Sequence, residues 1–125
     1  MADRKRILVA DDDPDIIDLL KMDLDMQGYD ITAATNGKDA LQLAMTDKFD
    51  LILLDVMMPY IDGYHVAYEV TSRLGAAAPK ILLITSRDTT REKGIALMSG
   101  ALEVLQKPFE MAHLHDKIAE ILAKS

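Results

Sequence analysis

Five short apolar runs recur along the chain, and each is followed by a longer stretch whose apolar residues have helical spacing. Such runs, bounded by charged or turn residues, are typical of strands buried on both faces of a parallel sheet. The stretches between them have the 3.6-residue period of amphipathic helices. The second run is the least apolar, which predicts an edge position. The predicted strands are residues 7–10, 29–35, 51–55, 80–85 and 104–106.

Capping signals predict where the helices begin and end. Asp13 precedes the first helical stretch as its cap, and Gly28 ends that stretch. Asn36-Gly37 is predicted to form a turn before the second helix. Thr89 and Glu92 have the spacing of a capping box, so the fourth helix is expected to begin there.

The alternation of strand and helix predicts an α/β fold in one domain that spans residues 1–125. Right-handed crossovers place helices on both faces of a parallel five-stranded sheet, giving a doubly wound (βα)5 three-layer sandwich of the flavodoxin-like type. Five strands of this kind commonly take the order 2-1-3-4-5. In that order the carboxyl ends of strands 1, 3, 4 and 5 are neighbours.

Polar residues follow or close these four strands: Asp11 and Asp12, Asp55, Thr85, and Lys107. Three carboxylates at one sheet edge repel each other, so each needs a counter-charge. Lys107 supplies one positive charge, and Mg²⁺, which binds carboxylate oxygens, water and phosphate, can supply two more. Asp55 can then act as a nucleophile on a phosphoryl group, while the Thr85 hydroxyl donates to a phosphoryl oxygen.

Composition narrows the expected partners. The net charge is −7 and no Lys/Arg cluster offsets it, so neither nucleic acid nor an anionic membrane surface is expected as a direct partner. The absence of cysteine excludes disulfides, thiol catalysis and cysteine metal sites. No segment has the ~20 apolar residues of a membrane span, and we expect a cytoplasmic protein. Of the eight methionines, four are predicted to fill gaps in the core: Met22, Met26, Met98 and Met111.

Four segments together resemble the receiver domain of two-component response regulators. ILVADDDPDI is similar to the family's first strand and acidic pair, and DLILLDVMMPYIDGY is similar to its phosphorylation segment. KILLITSRD is similar to the fourth strand with its hydroxyl residue, and SGALEVLQKPF to the segment that ends in lysine-proline. The resemblance covers essentially the whole chain.

The resemblance implies a phosphorylation-controlled signalling module rather than an enzyme with a separate substrate. The phosphoryl group would come from the phosphohistidine of a sensor histidine kinase or of a histidine phosphotransfer protein. Its transfer would require Mg²⁺ as a cofactor. The implied residues are Asp55, Thr85 and Lys107 for phosphoryl transfer, and Asp11, Asp12, Asp55 and the backbone carbonyl of Met57 for the metal.

Further implications concern the surroundings of this site. The Lys107–Pro108 peptide bond is expected to be cis. A downstream protein target is expected to bind the face made by the fourth helix, the fifth strand and the fifth helix, and the chain is expected to be a monomer or a weak dimer. Two residues depart from the family pattern: Val104 occupies the place of the switch aromatic, and Tyr60 the place of a common glycine. Val104 leaves the acidic cluster intact but alters the usual route of the signal.

Two alternatives remain open at this point. A metal-dependent phosphatase of the haloacid-dehalogenase type also uses a strand-end aspartate, Mg²⁺, a hydroxyl residue and a lysine, and Asp11 with Asp13 could mimic its Asp-x-Asp pair. Pro14 stands where that family continues with glycine-threonine, which argues against it. A receiver that binds partners without phosphorylation is the other alternative, and the complete acid, hydroxyl and lysine set argues against it.

Overall fold

Five strands and five α-helices alternate through the part of the chain that the structure describes, as the apolar pattern predicts. The computed structural model describes residues 4–86 and 89–124, with side chains in the fourth helix described from Gly94 onward. The strands are β1 (Arg6–Ala10), β2 (Asp30–Ala34), β3 (Leu51–Asp55), β4 (Lys80–Thr85) and β5 (Glu103–Gln106). The helices are α1 (Pro14–Met26), α2 (Gly37–Thr46), α3 (Gly63–Leu74), α4 (Thr89–Met98) and α5 (Met111–Ala123).

All strand pairs are parallel, and the strand order is β2-β1-β3-β4-β5. The predicted α/β class, strand order and edge position of β2 are therefore confirmed. Val9 and Leu53 are register partners in the centre of the sheet, and Asp55 is the partner of Ile84 on β4. The carboxyl ends of β1, β3, β4 and β5 consequently meet along one edge of the sheet.

Two apolar layers flank the sheet because successive residues of a strand point to opposite faces. On β3, Ile52 and Leu54 face the layer that contains α2, α3 and α4. Leu51 and Leu53 face the layer that contains α1 and α5. Burial on both faces explains why the strands have uninterrupted apolar sequences, and it fixes their ends firmly in place.

Side-chain caps begin three of the helices. Asp13 accepts a hydrogen bond from the Asp15 N–H at the start of α1, as predicted, and Asp62 accepts one from the His65 N–H at the start of α3. Asn36 caps α2, so Asn36-Gly37 begins a helix rather than forming a separate turn. The predicted capping box of Thr89 and Glu92 involves side chains that lie outside the described part of the chain.

Three of the four methionines predicted to fill the core are exposed. Met22, Met26 and Met98 are 63%, 80% and 85% exposed, whereas Met111 packs against the layer of α1 and α5. The buried stripe of α1 consists of Ile17, Leu20 and Leu24, and Met22 and Met26 lie outside it. Among the described helices, none is both long and apolar enough to cross a membrane.

Candidate functional site

Three carboxylates converge at the carboxyl end of the sheet. Asp11 and Asp12 directly follow β1, and Asp55 is the last residue of β3. One oxygen from each carboxylate can be chosen so that all three lie within 4.8 Å of one another. Asp11 and Asp55 are buried, while Asp12 is exposed to solvent. The structure thus brings together the acidic residues that the sequence predicts as metal ligands.

Lys107 is the cation of this cluster. Its Nζ donates a hydrogen bond to Asp11 Oδ2 at 2.9 Å and lies 3.6 Å from Asp55 Oδ1. The other oxygen of Asp11 accepts the backbone N–H of Asp13 at 2.9 Å. Both oxygens of the buried Asp11 carboxylate are therefore hydrogen-bonded, which offsets part of the free energy lost on its burial.

The environment of Asp55 raises its pKa from 3.8 to about 6. Burial is the largest cause and the charge of Asp11 the next; Lys107 and a backbone hydrogen bond with Met57 act in the opposite direction. Burial alone would lower the pKa of Lys107, but its hydrogen bond to Asp11 and the charge of Asp55 raise it overall. Lys107 is therefore charged at neutral pH, while Asp55 holds its proton unusually well.

The remaining predicted residues lie at the same edge. Thr85 is the last residue of β4, is fully buried, and accepts the Lys107 backbone N–H on its carbonyl at 2.7 Å. Met57 lies in the loop after Asp55 and has an exposed side chain. The Lys107–Pro108 bond is cis, as predicted. Every predicted site residue is therefore located at the carboxyl edge of the sheet.

The loop between β3 and α3 folds tightly against Asp55. The Gly63 N–H donates to the Val56 carbonyl at 2.9 Å, and a Cβ on Gly63 would lie 2.5 Å from the Asp55 carbonyl oxygen. Tyr60 has a φ of 71°, a left-handed conformation that favours glycine, and its side chain is 84% exposed. A glycine, the residue that the resemblance implies at this position, would adopt that backbone conformation without strain.

An apolar cleft of about 420 Å³ adjoins the acidic cluster, and no sequence pattern predicted it. It runs between α1 and the loop that leads from β5 to α5, with Asp11 and Lys107 in its wall. Leu19 and Phe109 contribute apolar surface from the two sides. Any molecule that reaches the acidic cluster from this side therefore meets an apolar surface before it meets charge.

Val104 is buried in β5, where it pairs with Leu83 and packs in the layer of α2, α3 and α4. Beside it lies a cavity of about 210 Å³ between α4 and β5. Ala96, Leu97, Leu102 and Glu103 complete the lining of this cavity. Val104 thus lies beside open space at the position where the resemblance implies an aromatic ring.

The acidic cluster fits a hard divalent cation. Three carboxylates face one lysine, so the cluster carries an excess of negative charge when all its groups are ionised. Carboxylate oxygens open to water on the Asp12 side are the ligands that Mg²⁺ prefers. Asp13, which the phosphatase alternative needs in the site, instead caps α1 with its side chain.

Two similar proteins are transcription regulators. The chain is 38% identical over 121 residues to the alkaline phosphatase synthesis transcriptional regulatory protein PhoP of Bacillus subtilis, and it covers 50% of that protein. It is 34% identical over 120 residues to the DNA-binding dual master transcriptional regulator RpaA of a Synechocystis species, again covering 50%. The alignments include 97% and 96% of this chain, which spans about half the length of either relative.

These relatives overturn one prediction. The acidic composition led us to exclude nucleic acid as a partner, and that exclusion is wrong, because proteins similar to this chain regulate transcription and one is described as DNA-binding. The net charge of −7 belongs to these 125 residues only. It carries no information about the half of each relative that the chain does not match.

A solved structure and a family model agree on the class of domain. The response regulator TrrA of Thermotoga maritima, solved in complex with Mg²⁺-BeF, superimposes with a TM-score of 0.84 at 37% identity. That superposition covers 94% of this chain and 98% of TrrA. The model of the response regulator receiver domain matches residues 7–119. The chain therefore belongs to the response regulator receiver domain family.

Proposed function

We propose that Asp55 accepts a phosphoryl group and that this transfer switches the partner binding of the receiver. The observation that carries the proposal is the position of the Asp55 carboxylate, buried between an acidic pair and Lys107 at the carboxyl edge of the sheet. The similar protein TrrA was solved with Mg²⁺ and BeF. This chain has a cluster of three carboxylates and belongs to the receiver family, so we expect it to use the same cation.

Asp11, Asp12, Asp55 and the backbone carbonyl of Met57 are the residues we propose for holding Mg²⁺. The cation, when bound, supplies positive charge close to the phosphoryl oxygens. Burial of Asp11 and its hydrogen bonds to Lys107 and the Asp13 N–H keep that carboxylate in one orientation. Asp12 is exposed, so the open side of the cluster is available to water and to the phosphoryl donor.

The covalent step is a displacement at phosphorus. An ionised oxygen of Asp55 forms the new O–P bond, while the N–P bond of the donor phosphohistidine breaks and the leaving imidazole takes up a proton. With a pKa of about 6, Asp55 is mostly ionised at pH 7 even without a cation. The carboxylate therefore needs no separate base.

Lys107 and Thr85 are proposed to stabilise the transferred group. The ammonium group of Lys107 is fixed by Asp11 at 2.9 Å and lies 3.6 Å from Asp55, so it can follow the charge that moves onto the phosphoryl oxygens. The Thr85 hydroxyl comes from the neighbouring strand and is proposed to donate to one phosphoryl oxygen. That new hydrogen bond would favour one position of the Thr85 side chain over another.

The donor is proposed to be a sensor histidine kinase or a histidine phosphotransfer protein. The apolar cleft beside Asp11 and Lys107 gives such a donor a surface to bind next to the reacting atoms. The downstream partner is proposed to bind the face of α4, β5 and α5. Because PhoP and RpaA are transcription regulators, we propose control of transcription as the process served.

Incubation with acetyl phosphate and Mg²⁺, followed by intact-mass spectrometry, tests the proposal. Wild type should gain the mass of one phosphoryl group, and Asp55→Asn should gain none. Asp50→Asn is a matched control, since Asp50 precedes the other end of the same strand and its carboxylate accepts the Arg6 N–H at 2.8 Å. Equal labelling of wild type and Asp55→Asn would refute the proposed acceptor.

A further inference from the structure

The first residue of α2 is in backbone contact with the loop that follows Asp55. Gly37 is buried, and a Cβ built on it would lie 1.8 Å from the carbonyl oxygen of Ile61 and 2.7 Å from its carbonyl carbon. Real Cβ atoms do not approach other atoms below 3.0 Å. Because the obstructing atoms are backbone, no change of side-chain rotamer can relieve the overlap. Only glycine allows the observed approach of α2 to this loop.

The α2 side of this contact is anchored near the acidic cluster. The Asp11 N–H donates to the Ala34 carbonyl at 3.2 Å, which fixes the end of β2 against the residue that follows β1. Asn36 then caps α2 through the Asp39 N–H at 2.8 Å. The first turn of α2 is therefore held in a defined place relative to Asp11.

The loop side has little freedom to move. Ile61 donates its N–H to the Pro59 carbonyl at 2.9 Å, and Tyr60 between them has a left-handed conformation. Gly63 donates to Val56 and packs on the Asp55 carbonyl, so the loop is closed on the strand at its far end. A displacement of Ile61 must then be taken up by the residues between Val56 and Ile61, which include Met57.

We infer that Gly37 is a positioning residue for the phosphoryl site. Gly37 lets the first turn of α2 contact the backbone of Ile61. This contact holds the loop in place, and with it the backbone of Met57 beside Asp55. This inference rests on the proposed function, since it assigns to Met57 a backbone contact with the acceptor carboxylate and a carbonyl ligand for Mg²⁺. A side chain at position 37 would displace the loop and weaken cation binding, although it would touch neither the cation nor Asp55.

The test compares three alanine variants of the full chain. Gly37→Ala displaces the loop. Gly100→Ala is the matched control for damage elsewhere. Gly100 lies in the connection from α4 to β5, and a Cβ there would lie 2.5 Å from the side chain of Thr71. Gly94→Ala, where an added Cβ meets nothing within 4 Å, is the control for alanine itself. Circular dichroism determines the folded fraction of each protein. Titration calorimetry then measures the Mg²⁺ affinity of that fraction.

Gly37→Ala should weaken Mg²⁺ binding about ten- to a hundredfold, the range typical for loss of a group that orients a metal ligand. Gly100→Ala and Gly94→Ala should keep the wild-type affinity, even if Gly100→Ala lowers the thermal midpoint further than Gly37→Ala does. A role limited to folding would lower the thermal midpoint of Gly37→Ala and leave its Mg²⁺ affinity unchanged. That result would overturn the inference while leaving the proposed function in place.

Wild-type protein gives a second measurement if Gly37→Ala fails to fold. In amide NMR spectra recorded during a Mg²⁺ titration, Gly37 and Ile61 should shift together along the binding curve, and Gly100 should stay unmoved. If the amide signal of Ile61 shifts with Mg²⁺ and that of Gly37 does not, the inference is overturned. If wild type shows no Mg²⁺ binding by either method, the proposed function fails and the inference fails with it.

Discussion

The acidic cluster and the seam between α4 and β5 are built in opposite ways. In the cluster, buried charges have close partners, with Lys107 at 2.9 Å from Asp11 and 3.6 Å from Asp55. At the seam, the buried side chains are small, and the large apolar side chains are exposed to solvent. Ala96 and Val104 are buried beside a cavity of about 210 Å³, while Ile95, Leu97, Met98 and Leu102 are 51%, 64%, 85% and 42% exposed.

This contrast separates a region that must be fixed from one that can rearrange. Breaking a buried charge pair leaves an unpaired charge, so the cluster has one favoured arrangement. A partly filled apolar seam has weaker contacts and can pack in more than one way at small cost. We therefore expect changes in the cluster to have large effects and changes at the seam to have small ones.

Two lysines sharpen the comparison. Lys107→Ala should lower the free energy of unfolding by about 3 kcal/mol at neutral pH, because it leaves the buried Asp11 and Asp55 carboxylates without their cation. Addition of Mg²⁺ should restore part of the loss. Urea denaturation with and without Mg²⁺ measures both effects.

Lys117→Ala is the control, because Lys117 lies on α5 and its partner Glu103 lines the cavity at the seam. Lys117 pairs with Glu103 at 3.0 Å, and its side chain is about as exposed as that of Lys107. The acidic partners differ, because Glu103 is 26% exposed whereas Asp11 and Asp55 are 4% and 7% exposed. Removal of the Lys117 side chain should change the free energy of unfolding by less than about 1 kcal/mol. Equal losses for the two lysines would show that the acidic cluster has no special dependence on its cation.

The raised pKa of Asp55 gives a pH-dependent prediction for the metal-free protein. The folded state holds this proton up to about pH 6, whereas the unfolded chain releases it near 3.8. Wild type therefore loses stability as pH rises through this interval, by up to about 3 kcal/mol from this group. Asp55→Asn should be close to wild type near pH 4 and more stable than wild type near pH 8. Urea denaturation across that range would contradict the prediction if the difference stayed constant.

Filling the seam should have a smaller effect. Val104→Ile adds one methylene group beside the cavity and should raise the free energy of unfolding by up to about 1 kcal/mol. Phosphoryl labelling of Asp55 should be unchanged. Val70→Ile is the control, because Val70 is fully buried in the same layer, and overpacking there should lower stability by about 1–3 kcal/mol. If the cavity at the seam cannot hold the added methylene group, thermal denaturation should show the same loss of stability for both variants.

The smallest predicted effect concerns the loop after Asp55. Tyr60→Gly should raise the free energy of unfolding by less than about 1 kcal/mol, because relief of the left-handed backbone is partly cancelled by the greater freedom of glycine when unfolded. Tyr68→Gly, inside α3, should lower it by about 1 kcal/mol. Destabilisation of both variants by the same amount would show that the Tyr60 backbone is unstrained.

Much of the site could be predicted because each residue ends or follows an element with a clear signal. Asp11, Asp55, Thr85 and Lys107 stand at the ends of apolar runs, and the parallel topology brings such ends together. The exposure of Met22 and Met26 could also be predicted, because α1 buries the stripe of Ile17, Leu20 and Leu24. The general tendency of methionine to fill cores predicts the opposite, and in α1 the helical period decides.

Other features depend on how elements approach one another, which a linear pattern does not encode. The contact between Gly37 and Ile61 joins the start of α2 to the backbone of a separate loop, and asparagine-glycine signals a turn as readily as a helix start. The apolar cleft beside Lys107 needs Leu19 from α1 and Phe109 from a distant loop. The prediction that nucleic acid is not a partner is wrong, because the net charge of −7 describes these 125 residues only.

Chemical mapping of the phosphoryl group tests the central claim most directly. Protein incubated with Mg²⁺ and acetyl phosphate is reduced with borohydride, which converts an aspartyl phosphate to homoserine, and its peptides are then sequenced by mass spectrometry. We predict conversion at Asp55 alone, lost when Mg²⁺ is removed. Conversion at Asp11 or Asp12 instead, or no conversion under any donor that labels a known receiver in parallel, would contradict the claim that Asp55 is the acceptor.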